Sequence, residues 1–228
     1  MIEVIPALLP QSFSELESKL EILSHCASLA HLDVCDGKFS SAASWPYHPE
    51  DKEVFSAIAR EEKGMPFWEQ VDFEVHLMIA HPEKEIDQWI HAGATRIVVH
   101  VESVFDFDKL KEVTAGRVEL GVSLRHDTSL DAIVEHQKLF SFIQLMTIVD
   151  IGGQGIPFDQ RAYARIRDTH TRFSDFPISV DGGVNLENAK LLIDAGASRL
   201  VVGSAIISAD DPFGAYASFT KIANGYGA

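Results

Sequence analysis

Short runs of apolar, often β-branched residues recur along the chain, and most are followed by a stretch whose apolar residues return at helical spacing. The runs read as strands at 3–9, 29–34, 72–79, 96–101, 118–124, 140–148, 176–180 and 199–203. Between them lie amphipathic segments such as SFSELESKLEILSHC, PEKEIDQWIHAG, DQRAYARIRDTHTRF and NLENAKLLIDAGA, with acids in their first turns as helix N-termini favour. Ala-Gly-Ala occurs at 92–94 and 195–197, each time just before a strand, where a glycine stops a helix. Eight strand–helix units in 228 residues leave about 28 residues per unit, near the minimum for a (β/α)8 barrel. A doubly wound sheet is the alternative, but no GxGxxG follows the first strand. The pattern predicts an α/β protein: one (β/α)8 TIM-barrel domain over residues 1–228.

Two connections are longer than such a barrel needs. Residues 35–49 follow strand two and residues 149–158 follow strand six, both at the C-terminal ends of strands, where barrels carry their active sites. Residues 37–48 and 150–157 are therefore lid candidates and are expected to be mobile. Residues 61–70 precede strand three at the opposite face and read as packing or as an interface, with Phe67 and Trp68 as its aromatics.

Composition narrows the partners. Hydrophobic residues make up 46% of the chain, enough for a sizeable core, and the formal net charge is -15. That charge argues against nucleic acid and against anionic membranes, which require Lys and Arg patches. A small anion is still admissible, because backbone amides bind phosphate without a cation. Two cysteines, Cys26 and Cys35, are too few for a disulfide framework. The opening MIEVIPALLP has no basic leader, and no apolar run reaches membrane length, so a cytoplasmic protein is expected.

The chemistry begins at HLDVCDG, residues 31–37. Alternation along a strand sends His31 and Asp33 to one face. That is either a polar strand end facing water or the start of a metal site. His76 on strand three and Asp181 at the end of strand seven fall at the same barrel mouth. Two imidazoles and two carboxylates balance a divalent cation and leave coordination positions open for substrate oxygens. His100 and Glu102 end strand four on a shared face and read as supporting or structural groups. His25, His48, His81, His91, His126, His136 and His170 fall in predicted helices or loops and read as surface residues. Cys35 lacks an obvious base and reads as a small apolar filler. Glycines mark a phosphate side: Gly182 and Gly183 after strand seven, Gly203 and Ser204 after strand eight, and Gly152, Gly153 and Gln154 after strand six.

Together these motifs resemble the ribulose-phosphate 3-epimerase family. The family's H-x-D-x-x-D-G is present as His31 to Gly37, its H-L-M as His76 to Met78, its V-D-G-G-V-N as Val180 to Asn185, and its G-S-A-I as Gly203 to Ile206. The resemblance spans essentially the whole barrel in order and spacing. It implies that His31, Asp33, His76 and Asp181 bind one divalent metal (zinc, iron(II), manganese or cobalt) and that Asp33 and Asp181 are the acid/base pair. It further implies that Met78 and Met146 line the pocket, that the substrate is a small sugar phosphate, and that the protein forms a homo-oligomer. The expected reaction is epimerisation at carbon 3, with D-ribulose 5-phosphate going to D-xylulose 5-phosphate. Departures lie around the substrate: Ala7 follows Pro6 where the family has serine, and Cys35 replaces a methionine. SSAASWPYHP follows Phe39, and Asp150 stands where the family has glycine. These leave open a different ketose phosphate, of the allulose 6-phosphate type, a related barrel lyase, or a sugar-phosphate-binding barrel without catalysis.

Overall fold

The computed structural model describes residues 2–153 and 155–226. Its strands are β1 (Glu3–Leu8), β2 (Leu29–Cys35), β3 (Asp72–Met78), β4 (Ala94–His100), β5 (Glu119–Leu124), β6 (Phe142–Met146), β7 (Ile178–Asp181) and β8 (Arg199–Val202). They pair in chain order, all parallel, and β8 closes on β1. The helices are α1 (Phe13–Leu23), α2 (Lys52–Ala59), α3 (Ile86–His91), α4 (Phe107–Thr114), α5 (Ala162–Arg172), α6 (Ala189–Asp194), α7 (Ser204–Ile207) and α8 (Pro212–Asn224). Between β5 and β6 the chain runs as a 3-10 stretch, Leu130–Leu139, rather than as an α-helix. The barrel expected from the periodicity is the barrel observed.

Strand alternation sorts the residues into two layers. Leu32 and Val34, Val75 and Leu77, Ile143 and Leu145, and Ile178 and Val180 join Leu16, Leu20 and Leu23 of α1 in one large apolar core. That core seals the strands against the helices. The alternate positions face the barrel axis, and they are largely polar: His31, Glu74, His76, His100, Ser123, Gln144 and Ser179 are all fully buried. Such an interior needs internal partners for its polar atoms, and the register places several of the inner residues side by side. His31 lies beside Glu74, Asp33 beside His76, and Met146 beside Asp181.

The long connection after β2 corrects one expectation. Its rear half belongs to the core, since Ser44 and Trp45 are fully buried. The Ser44 amide donates to the Cys35 carbonyl at 2.9 Å and the Trp45 amide to Pro10 at 3.0 Å. The indole packs against Phe13, Phe55 and Trp89, with ring centroids 5.7–6.0 Å away. So large an apolar ring loses too much by staying solvated over the mouth. The part left free to act as a lid is therefore the tip, 37–43, itself pinned where Asp36 bridges Ala43. No helix among the described residues is long and apolar enough to cross a membrane.

Candidate active site

Four side chains from three strands meet at the C-terminal mouth. Atoms of His31, Asp33, His76 and Asp181 all lie within 4.8 Å of one another. His31 Nε2 is 3.3 Å from Asp33 Oδ1 and 3.9 Å from Asp181 Oδ2. His76 Nδ1 is 2.9 Å from Asp33 Oδ1 and 3.5 Å from Asp181 Oδ2. His31 Nε2 is buried without a hydrogen-bond partner. A buried nitrogen left unsatisfied is costly unless something occupies the point it faces. Two nitrogens and two carboxylate oxygens around that point fit a divalent cation in charge and in donor type.

The same packing drives the ionisation states apart. Burial opposes charge on Asp33, but the imidazoles of His31 and His76 hold its carboxylate well below the usual range. Burial and the neighbouring Asp33 charge push Asp181 up to about 6. Burial also opposes charge on His31, yet the carboxylates of Asp33 and Glu74 outweigh it and push the imidazole up to about 10. Gln144 Nε2 donates to Asp181 Oδ2 at 3.1 Å, fixing that carboxylate from β6. His100 stands behind His76, outside the group of four, with the two Nε2 atoms 3.0 Å apart. Its Nδ1 lies 3.1 Å from Glu102 Oε2, so the pair supports His76 as expected. Burial keeps His100 neutral, down to about 4.

Above these groups opens a cleft lined by Ala7, Met78, Met146, Asp33, Asp181 and the glycine-bearing loops. Gly152, Gly153, Gly182, Gly183, Gly203 and Ser204 all border it. Gln154 lies outside the described residues. At Gly183, φ is +65° and an added Cβ would lie 2.8 Å from the Phe158 amide nitrogen. Only glycine fits that turn. Gly152 closes in the same manner on Ser40, where a Cβ would lie 2.9 Å from the Ser40 Cβ. The loops after β2 and β6 therefore touch over the mouth. Cys35 sits beneath them with Leu9, Met78, Met146, Ile148 and Ile151 in a small apolar cluster. Burial pushes its thiol up to about 12, which suits a filler and not a nucleophile.

Residues 3–207 match the sequence profile of the Ribulose-phosphate 3 epimerase family. The chain belongs to the ribulose-phosphate 3-epimerase family. The ribulose-phosphate 3-epimerase of Treponema pallidum (strain Nichols) is 30% identical over 208 residues, covering 89% of this chain and 90% of that protein. Its counterpart from Bacillus subtilis (strain 168) is also 30% identical, over 218 residues, covering 92% and 94%. Among solved structures, a 3-hexulose-6-phosphate synthase superposes with a TM-score of 0.68 over 97% of this chain and 99% of that one. At 20% identity that likeness speaks for the fold alone. As a ribulose-phosphate 3-epimerase family member the chain is an isomerase.

Against this family's motifs, the four predicted ligand residues come together, and every predicted cleft residue among those described borders the cleft. Sequence reasoning missed Gln144 and Glu74. Gln144 is the one polar residue of β6, two positions before Met146, and Glu74 lies two positions before His76 on β3. The period-two rule that paired His31 with Asp33 would have put both on the inner face.

Proposed function

We propose that this protein inverts carbon 3 of a ketose phosphate, D-ribulose 5-phosphate to D-xylulose 5-phosphate, with Asp33 and Asp181 as its two proton carriers. The observation that carries the reading is a pair of carboxylates, from β2 and β7, reaching one point across the barrel beside two imidazoles. Inversion needs a proton taken from one face and returned to the other. Asp33 on β2 and Asp181 on β7 approach that point from different strands, so one carboxylate can take a proton from one face while the other supplies one to the opposite face. In the reverse direction the roles exchange.

His31 Nε2, His76 Nδ1 and one oxygen each of Asp33 and Asp181 would hold the divalent metal. Zinc, iron(II), manganese and cobalt all accept this donor set. When bound, such a cation supplies Lewis-acid polarisation of the carbon 2 carbonyl and charge balance for an ene-diolate. Met78, Met146 and Ile148 wall the cleft with apolar surface and keep water from the carbanionic carbon. No Lys or Arg lines the cleft among the described residues. The phosphate would therefore rest on amides of the loops bearing Gly152, Gly153, Gly182, Gly183, Gly203 and Ser204. Two free cysteines support a cytoplasmic setting. Trp68, 63% exposed, offers an apolar anchor for a homo-oligomer.

The test is a screen of metal-reconstituted protein against ketopentose and ketohexose phosphates, read by loss of the substrate epimer. Preference for ribulose 5-phosphate is expected. Turnover of a ketohexose phosphate alone would keep the reaction and replace the substrate. Carbon–carbon cleavage in place of epimerisation, or no turnover at all, would reject the reading.

A further inference from the structure

Directly beneath the four converging side chains, the barrel axis holds an ion pair that proton transfer does not use. Glu74 lies two residues before His76 and so faces inward one layer lower. Arg199 opens β8 and reaches the same layer. Glu74 is fully buried and Arg199 is 5% exposed. Glu74 Oε1 is 2.7 Å from His31 Nδ1, and Glu74 Oε2 accepts from Arg199 Nη2. Arg199 Nε donates to Glu3 Oε2 at 3.1 Å, and its guanidinium lies 3.9 Å from the centre of the Phe142 ring. Arg96 continues the chain outward, 3.0 Å from Glu3 and 3.0 Å from Glu119. Charges thus run unbroken from the N-terminal rim of the barrel up to His31.

Fold stability does not account for this arrangement. A buried ion pair rarely outperforms apolar residues of equal volume, because both charges lose their water. What the pair does determine is the orientation of one imidazole. A carboxylate has only acceptors to offer, so His31 must present Nδ1–H to it. The remaining nitrogen, Nε2, then points at Asp33 and Asp181, and it is this nitrogen that lacks a partner. Arg199 in turn leaves the Glu74 carboxylate one orientation.

We propose that Glu74, itself fixed by Arg199, is a positioning residue that orients His31 and keeps its Nε2 lone pair available to a cation. The inference rests on the reading of the four side chains as a metal centre. Partners of this kind are commonly worth about 10–100-fold in metal affinity.

The experiment measures Zn²⁺ affinity of metal-stripped protein by competition with a chromophoric chelator. It compares wild type, Glu74→Gln, Glu74→Met and the double variant Glu74→Met/Arg199→Met, each shown to be folded by circular dichroism. Glu74→Met should bind about 10–100-fold more weakly, whereas Glu74→Gln, which keeps an acceptor, should recover most of the affinity. The double variant removes the guanidinium that Glu74→Met would leave with Glu3 as its one carboxylate partner, and it should fold even if Glu74→Met does not, yet its affinity should stay low. In the Zn²⁺-loaded wild type a slowly exchanging His31 Nδ1–H resonance is expected, and it should be lost in the double variant. Wild-type affinity in the double variant would overturn the proposal, leaving Glu74 as a mere counterion of Arg199. Failure of the wild type itself to bind Zn²⁺ would instead reject the metal centre.

Discussion

At His31 a proton and a cation compete for one nitrogen. Without metal, the imidazole is pushed up to about 10 by Asp33 and Glu74 and so carries its extra proton at neutral pH. A ligand must be neutral, so binding expels that proton. Apparent metal affinity should therefore climb about tenfold per pH unit between pH 7 and 9. Competition titrations at three pH values check this, and a flat profile would mean His31 is not a ligand. The same shift acts on folding. A histidine whose folded value is raised contributes stability that is complete below about 6.5 and is lost as pH rises toward 10. Metal-free protein should melt at progressively lower temperature from pH 6.5 to 8.5, and His31→Gln should flatten that slope. At this scale the sequence was readable where chemistry stood out against its surroundings. His31, Asp33, His76 and Asp181 interrupt apolar runs with residue types that bind metals. Glu74 and Gln144 interrupt them too, but their value lies in partners far away in sequence, Arg199 on β8 and Asp181 on β7.

Among the elements, strands were easier to read than loops. Eight apolar runs marked eight strands because each is sealed on its outer face by helices. The connection after β2 reads as a lid over 37–48, since its length and small residues conceal that Trp45 inserts between Phe13, Phe55 and Trp89. Trp45→Ala should accordingly cost about 3–5 kcal/mol of unfolding free energy, read by urea titration. A cost below about 1 kcal/mol would return the whole segment to the lid. The turn after β7 acts on substrate instead. Gly183→Ala places a methyl 2.8 Å from the Phe158 amide nitrogen and strains a backbone with positive φ. KM for the sugar phosphate should rise at least tenfold, by about 1.4 kcal/mol or more, while metal affinity stays unchanged. Loss of metal together with substrate would mean that the turn supports the four side chains and not the phosphate.

Over the whole molecule, the barrel separates two jobs. Its outer layer is an ordinary apolar core, and its interior is a polar column from the Glu3–Arg96–Glu119 rim to the mouth. Barrel closure could be inferred from the unit length, but the column could not, because it depends on which strands meet across the axis. Inversion at this site requires two carboxylates on opposite faces of a single carbon, one removing its proton and the other supplying a new one. The most direct test follows ribulose 5-phosphate in deuterated water by NMR with metal-loaded wild type, Asp33→Asn and Asp181→Asn, with metal content measured alongside. Wild type should epimerise and incorporate deuterium at carbon 3. Each variant should lose about 10²–10⁴-fold in epimerisation, and one of them should still exchange the proton without inverting the centre. An Asn variant that carries its full metal and still epimerises at the wild-type rate would contradict the two-carboxylate account.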